Sequence, residues 1–175
     1  MSVETEAKLK VDSLAPVELR LAELGAEFVA EQLQTDSLFD DDTETLTRSD
    51  RCLRIRRQVA NDLKRCILGY KGGRQESSFK KRQEIETEVE DADSLVTLLS
   101  ELGYKEKLVV EKRRRLWRLA GCEVALDELP ALGTFVEIEG PDERVIADVQ
   151  AKLNLVKLPH VAKSYAQMIM EERGL

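Results

Sequence analysis

The sequence predicts an α+β protein: an antiparallel β-barrel closed from two similar halves, with helices packed outside it. Three observations carry this. Charged and apolar residues alternate with period 2 in segment after segment. Four amphipathic helical stretches interrupt those segments. The order of elements also repeats. A charged strand, a helix and Leu21-Ala22-Glu23-Leu24-Gly25 in the first half are matched in the second by a strand bearing Glu86 and Glu88, a helix and Leu99-Ser100-Glu101-Leu102-Gly103.

Thr5, Ala7, Leu9 and Val11 alternate with Glu4, Glu6, Lys8 and Lys10, which predicts the first strand. Asp12 or Ser13 can cap a helix with Pro16 in its first turn, an apolar stripe of Leu14, Val17, Leu21 and Leu24, and Gly25 at its stop. Leu53 and Ile55 alternate with Arg54 and Arg56, and a further strand is expected over residues 65–71. Ile85, Thr87 and Val89 alternate with Glu84, Glu86, Glu88 and Glu90. Asp91 or Asp93 can cap a helix through Leu95, Leu98, Leu99 and Leu102. Strands follow over 108–119 and 122–126, and Val136 and Ile138 alternate with Glu137 and Glu139. Two helices, 142–154 and about 163–173, end the chain, and Asn61-Asp62 and Ala120-Gly121 fit hairpin turns.

At 175 residues the chain is expected to be one domain, 1–175. Its composition, 42% hydrophobic and 35% charged, suits a folded but richly charged globule. The net charge of −7 argues against nonspecific nucleic-acid binding unless the fold gathers its bases in one place. Cys52, Cys66 and Cys122 have no metal-ligand or redox spacing. The first ten residues hold no apolar signal core, and no stretch reaches membrane-spanning length, so a cytoplasmic protein without membrane partners is expected.

The sign and placement of charge carry the functional information. For any one strand, a wet sheet face is the commonest explanation. Here Glu clusters in three strands and Arg or Lys in three others, whereas exposed faces usually mix signs for cross-strand pairing. If the apolar faces are covered by helices and the sheet closes, the charged face becomes the lumen. Unpaired charges there are too costly for a dry core, so water, metal ions and an anionic ligand must fill it. Carboxylates suit hard divalent cations, and Arg and Lys suit phosphate oxygens.

At this point the residues resemble the CYTH (triphosphate tunnel) superfamily, which includes class IV adenylyl cyclases and thiamine and inorganic triphosphatases. Glu4-Thr5-Glu6-Ala7-Lys8 looks like its ExExK signature. The ordered set continues with Leu53-Arg54-Ile55-Arg56, Tyr70-Lys71-Gly72, Arg82 with Glu86 and Glu88, Glu111-Lys112-Arg113-Arg114, Leu126-Asp127, Gly133 to Glu139, and Lys163-Ser164-Tyr165. The resemblance implies an eight-stranded antiparallel tunnel. It also implies that Glu4, Glu6, Glu137, Glu139 and Asp127 hold Mg²⁺ or Mn²⁺. Lys8, Arg54, Arg56, Lys71, Arg82, Lys112, Arg114 and Lys163 would bind phosphate, with Glu86 and Glu88 also facing the tunnel. Glu4, Glu6, Lys8, Asp127, Glu137 and Glu139 form the expected catalytic set. The implied partner is a small triphosphate, not a nucleic acid, and a homodimer stays open. The implied enzyme is a cyclase or a triphosphatase. The alternatives are a polyphosphate- or nucleotide-binding module without turnover, and an acidic interaction domain. No Walker or kinase spacing is present.

Other residues have plainer readings. His160 is expected in a surface loop, and Trp117 in the core or on the barrel exterior. In the run Lys112 to Arg115, alternation sends Lys112 and Arg114 inward and Arg113 and Arg115 outward. Asp40, Asp41 and Asp42 read as a solvated turn, lacking the glycine and terminal glutamate of a calcium loop. Gly72 to Lys81 reads as a loop at the tunnel mouth, with Arg74, Lys80 and Lys81 as candidates to touch substrate.

Overall fold

A computed structural model describes residues 2–75 and 79–174; Glu76, Ser77 and Ser78 of the mouth loop lie outside the described residues. The chain runs β1 (Ser2–Val11), α1 (Ala15–Glu23), β2 (Glu27–Asp40), α2 (Thr45–Arg48), β3 (Cys52–Ala60), β4 (Leu63–Lys71), β5 (Lys80–Glu88), α3 (Ala92–Glu101), β6 (Lys105–Leu119), β7 (Cys122–Leu129), β8 (Gly133–Glu139), α4 (Glu143–Lys152) and α5 (Tyr165–Arg173). The strands close in the order β1-β5-β4-β3-β2-β6-β7-β8, all antiparallel. Exchanging β1–β4 with β5–β8 maps this ring onto itself, so the two halves are visible in the topology. Gly25 and Gly103 follow α1 and α3, both with positive φ, as the repeat implies.

The hydrophobic core lies outside the barrel. Ala7 and Leu9 of β1, Val124 and Leu126 of β7, and Val136 and Ile138 of β8 point outward onto Val17 and Leu21 of α1 with its cap Leu14, and onto Ile146 and Val149 of α4 with its cap Leu153. Leu99 of α3 covers Ile55 and Phe39 in the same way. A third cluster, of Leu108, Val110, Phe135, Tyr165 and Ile169, seats α5 against one end of the barrel. Strand β1 is therefore buried on both faces, and Glu4, Glu6 and Lys8 are each below a tenth exposed.

Local chemistry sets the boundaries. Asn61-Asp62 and Ala120-Gly121 form two-residue hairpins with positive φ at both positions, the geometry whose twist matches the flanking strands. Asp91 and Asp142 cap α3 and α4, and Ser164 with Gln167 forms a capping box on α5. At α1, Leu14 occupies the cap position without a side-chain hydrogen bond, and Ser13 Oγ accepts only from Ala15 N at 3.3 Å. Strand β2, fourteen residues long, is missing from the sequence-based strand list. Asp40 at its end is not a solvated turn residue. It is 2% exposed and accepts from the backbone N–H groups of Leu46 and Thr47 at 3.0 and 2.8 Å, whereas Asp42 is exposed and pairs with Lys105.

Candidate active site

The barrel encloses a cavity of about 510 Å³ whose walls are charged. Strand alternation brings Glu4, Glu6, Lys8, Arg54, Arg56, Lys71, Arg82, Glu86, Lys112, Arg114, Glu137 and Glu139 to it from six strands. The charges are layered. Glu84, Glu86, Glu123 and Glu139 line the end away from α5. Arg56, Lys112 and Arg114 form a belt across the middle. Leu38, Leu53, Leu108 and Met170 line the end near α2 and α5.

Ion pairs fill the belt. Arg56 grips Asp36 through both nitrogens, at 2.7 and 2.8 Å. Arg114 grips Asp127 at 2.7 and 2.6 Å and also donates to Glu137. Lys8 stands 3.1 Å from Glu137, Lys80 donates to Glu6 at 2.6 Å, and Lys71 donates to Glu4. Arg54 reaches Glu86 at 2.7 Å and Glu84 at 3.2 Å. It lies across Gly69, where an added Cβ would stand 3.2 Å from its Nε.

Two features mark the lumen as incomplete by itself. Among the described residues, Arg54 Nε, Arg82 Nε and Gln34 Oε1 are buried without a protein hydrogen-bond partner, an arrangement that costs about 1–3 kcal/mol per group unless a ligand or water supplies one. The acidic end is also overcharged. Burial raises Glu84 and Glu139 to about 7, with Glu4 beside each adding to the rise. Burial would raise Glu4 too, but Lys71 and hydrogen bonds to Glu84 and Lys71 hold it down at about 2. Carboxylates that repel one another in this way fit a divalent cation, although among the described residues no three His, Cys, Asp or Glu groups form a ready-made metal cage. Burial, with Arg114 beside it, lowers the Lys112 ammonium to about 7.

Three expected site residues are placed differently. Lys163 points outward and pairs with Glu171 at 2.7 Å, because the capping box at Ser164 fixes the backbone so that only the Lys163 carbonyl faces Lys8. Glu88 ends β5 beyond its pairing with β1, and is exposed at the rim with Arg65 at 2.7 Å. Asp127 is 0% exposed; Arg114 and the Tyr165 hydroxyl, at 2.8 Å, cover its oxygens, so here it braces the wall. Of the mouth candidates, Lys80 enters the lumen, Lys81 does not line it, and Arg74 ties Asp50 to the Ala162 carbonyl.

Glu84, Asp36 and Tyr165 also line the cavity and were not among the expected site residues. Glu84 sits between Arg82 and Glu86 at period 2, so alternation alone placed it inward. His160 is exposed and bonds Gln150, outside the cavity. Trp117 packs on Phe28 at 5.1 Å outside the barrel, and Arg113 and Arg115 pair with Glu31 and with Glu18 and Glu128, as the alternation requires.

The molecule is thus a closed barrel with apolar clusters outside it and with carboxylates and guanidinium groups sharing one lumen. The chain belongs to the CYTH domain family, whose model matches residues 2–165. It is 30% identical to a Methanocaldococcus jannaschii protein whose adenylate cyclase assignment is provisional, over 99% of each chain. It is 28% identical to the adenylate cyclase CyaB of Aeromonas hydrophila, over 86% of this chain and 76% of that one. A solved Hippeastrum protein, described as a provisional adenylyl cyclase with a dominant triphosphatase activity, shares the fold with a TM-score of 0.72 at 20% identity, covering 98% of this chain and 96% of its own. Among the described residues, no helix is long and apolar enough to cross a membrane.

Proposed function

We propose that this protein is a divalent-metal-dependent enzyme acting on a triphosphate, with conversion of ATP to cyclic AMP and pyrophosphate as the leading reaction. The observation that carries the reading is the pair of buried, unpartnered guanidinium nitrogens, Arg54 Nε and Arg82 Nε, in the same lumen as the mutually repelling Glu4, Glu84 and Glu139. A phosphate chain supplies acceptors to the first, and a divalent cation relieves the second. In this reading Lys8, Arg54, Arg56, Lys71, Arg82, Lys112 and Arg114 hold the phosphates. All but Lys112, whose nearest carboxylate oxygen stands at 3.7 Å, exchange a carboxylate partner for phosphate oxygens. Glu4, Glu6, Glu84, Glu137 and Glu139 are the groups that would hold Mg²⁺ or Mn²⁺. When bound, the ion supplies charge neutralisation at the phosphate oxygens.

The protein's own part is positioning and charge stabilisation, which dominate phosphoryl transfer. In the cyclase reaction the ribose 3′-hydroxyl attacks the α-phosphorus and pyrophosphate leaves. The second reading is hydrolysis, with water as nucleophile in the same grip. The Hippeastrum protein of the same fold, described with a dominant triphosphatase activity, favours testing it. Incubating the protein with ATP, inorganic triphosphate and thiamine triphosphate, each with Mg²⁺ or Mn²⁺, separates them. Cyclic AMP selects the cyclase, and orthophosphate selects the hydrolase. Tight triphosphate binding without any product reduces the protein to a binding module and removes the enzyme reading.

A further inference from the structure

Tyr165 stands where the C-terminal segment crosses the end of the barrel, and it is held from several sides. Val161 N donates to Lys8 O at 2.7 Å, which lays the segment along β1. The Ser164–Gln167 capping box then starts α5 with Tyr165 as its first residue. The Tyr165 ring packs edge-on against Phe135 at 5.2 Å, and its hydroxyl donates to Asp127 Oδ2 at 2.8 Å. Burial, with Glu137 and Asp127 close by, keeps that hydroxyl protonated well above its ordinary range.

Two lysines of the phosphate belt meet this ring. Lys8 Nζ lies 3.8 Å from its centroid and Lys112 Nζ 5.1 Å. An aromatic face attracts an ammonium through its quadrupole without neutralising it. That distinguishes it from the carboxylates elsewhere in the lumen, which an arriving phosphate must displace. Lys112 in particular has its nearest carboxylate oxygen, on Asp127, at 3.7 Å.

We propose that Tyr165 is a positioning residue for the phosphate grip: its ring fixes where the amino groups of Lys8 and Lys112 stand, so that both face the ligand together. The inference rests on the triphosphate reading, and its test keeps the two apart. Protein labelled with ¹³C-lysine is followed by NMR and titrated with inorganic triphosphate in wild type, Tyr165→Phe and Tyr165→Leu, with a thermal melt of each. Wild type should show the ε-CH₂ protons of Lys8 shifted upfield by the ring current. Tyr165→Phe, which keeps the ring and loses the hydroxyl, should retain both that shift and near-wild-type affinity. Tyr165→Leu should lose the shift and bind triphosphate roughly tenfold more weakly, about what a desolvated cation–π contact supplies. A wild-type spectrum without the upfield shift overturns the proposal. So does Tyr165→Phe binding as weakly as Tyr165→Leu, or Tyr165→Leu binding as wild type does. If wild type binds no triphosphate, the functional reading falls and this inference with it; normal wild-type binding unaffected by Tyr165→Leu removes the inference alone.

Discussion

The two halves of the barrel carry the same bidentate arginine–aspartate bridge on equivalent strand pairs, with the charges exchanged. On β2 and β3 the acid comes first, Asp36, and Arg56 reaches back to it. On β6 and β7 the base comes first, Arg114, and Asp127 lies across from it. Their surroundings differ. Asp36 lines the cavity, whereas Asp127 is sealed by Tyr165 from a helix that follows only the second half. The neighbouring base of the first half, Arg54, keeps an unpartnered Nε. The bridge of the second half is thus a braced wall, whereas that of the first has donor capacity left over beside it; the spare Arg82 Nε of the second half lies on β5, apart from its bridge.

The largest effect should come from breaking the brace. Asp127→Asn leaves Arg114 and Lys112 buried together with less opposing charge, at a cost of about 3–5 kcal/mol in denaturant unfolding. Asp36→Asn should cost less, because Asp36 and Arg56 both line the cavity, whereas Asp127 is fully enclosed. Equal losses would show that the halves are energetically alike. Next come the carboxylates offered to metal. Glu6→Gln on β1 and Glu137→Gln on β8 should each lower turnover by at least roughly 100-fold, about 2.7 kcal/mol, with the fold intact. Wild-type rates in both would remove the carboxylates from the chemistry.

How much of this was legible in the sequence depends on contrast between faces. Strands β1 and β8 alternate charge with apolar residues because their outer faces meet helices, and β5 alternates although its outward Ile85 stays exposed, so the inward residues of all three could be named. Strand β2 lacked that contrast. Its outward Thr35 and Ser37 are as polar as its inward Gln34 and Asp36, and on that face only Phe39, near its end, meets a long helix, through Leu99 of α3. Asp36 was lost with the strand. Lys163 and Asp127 failed for another reason. Alternation gives the side of a strand, but neither the turn of backbone ahead of a capping box nor the cover that Tyr165 provides over a carboxylate that does face inward.

The smallest effect tests the halves at their acidic end, where Glu4 on β1 and Glu84 on β5 share a hydrogen bond and shift in opposite directions. Burial raises Glu84 from 4.5 to about 7, and Glu139 likewise. A carboxyl raised in the fold keeps its proton while the unfolded chain has already released it. The native state therefore binds more protons between pH 4.5 and 7, and stability must fall as pH rises through that window. Glu4 works in the opposite sense but only below pH 4.5, and the depressed Lys112 acts above about 7, so the window isolates Glu84 and Glu139. Metal-free protein should lose roughly 5 °C in melting temperature between pH 5 and 7.5. Glu84→Gln should remove about half of that slope, and millimolar Mg²⁺ or Mn²⁺ should flatten it by taking the place of the protons. A melting temperature that stays level or rises across the window would mean that the acidic end holds no excess charge, and that the first half's Lys71 and Arg54 already balance it without a cation.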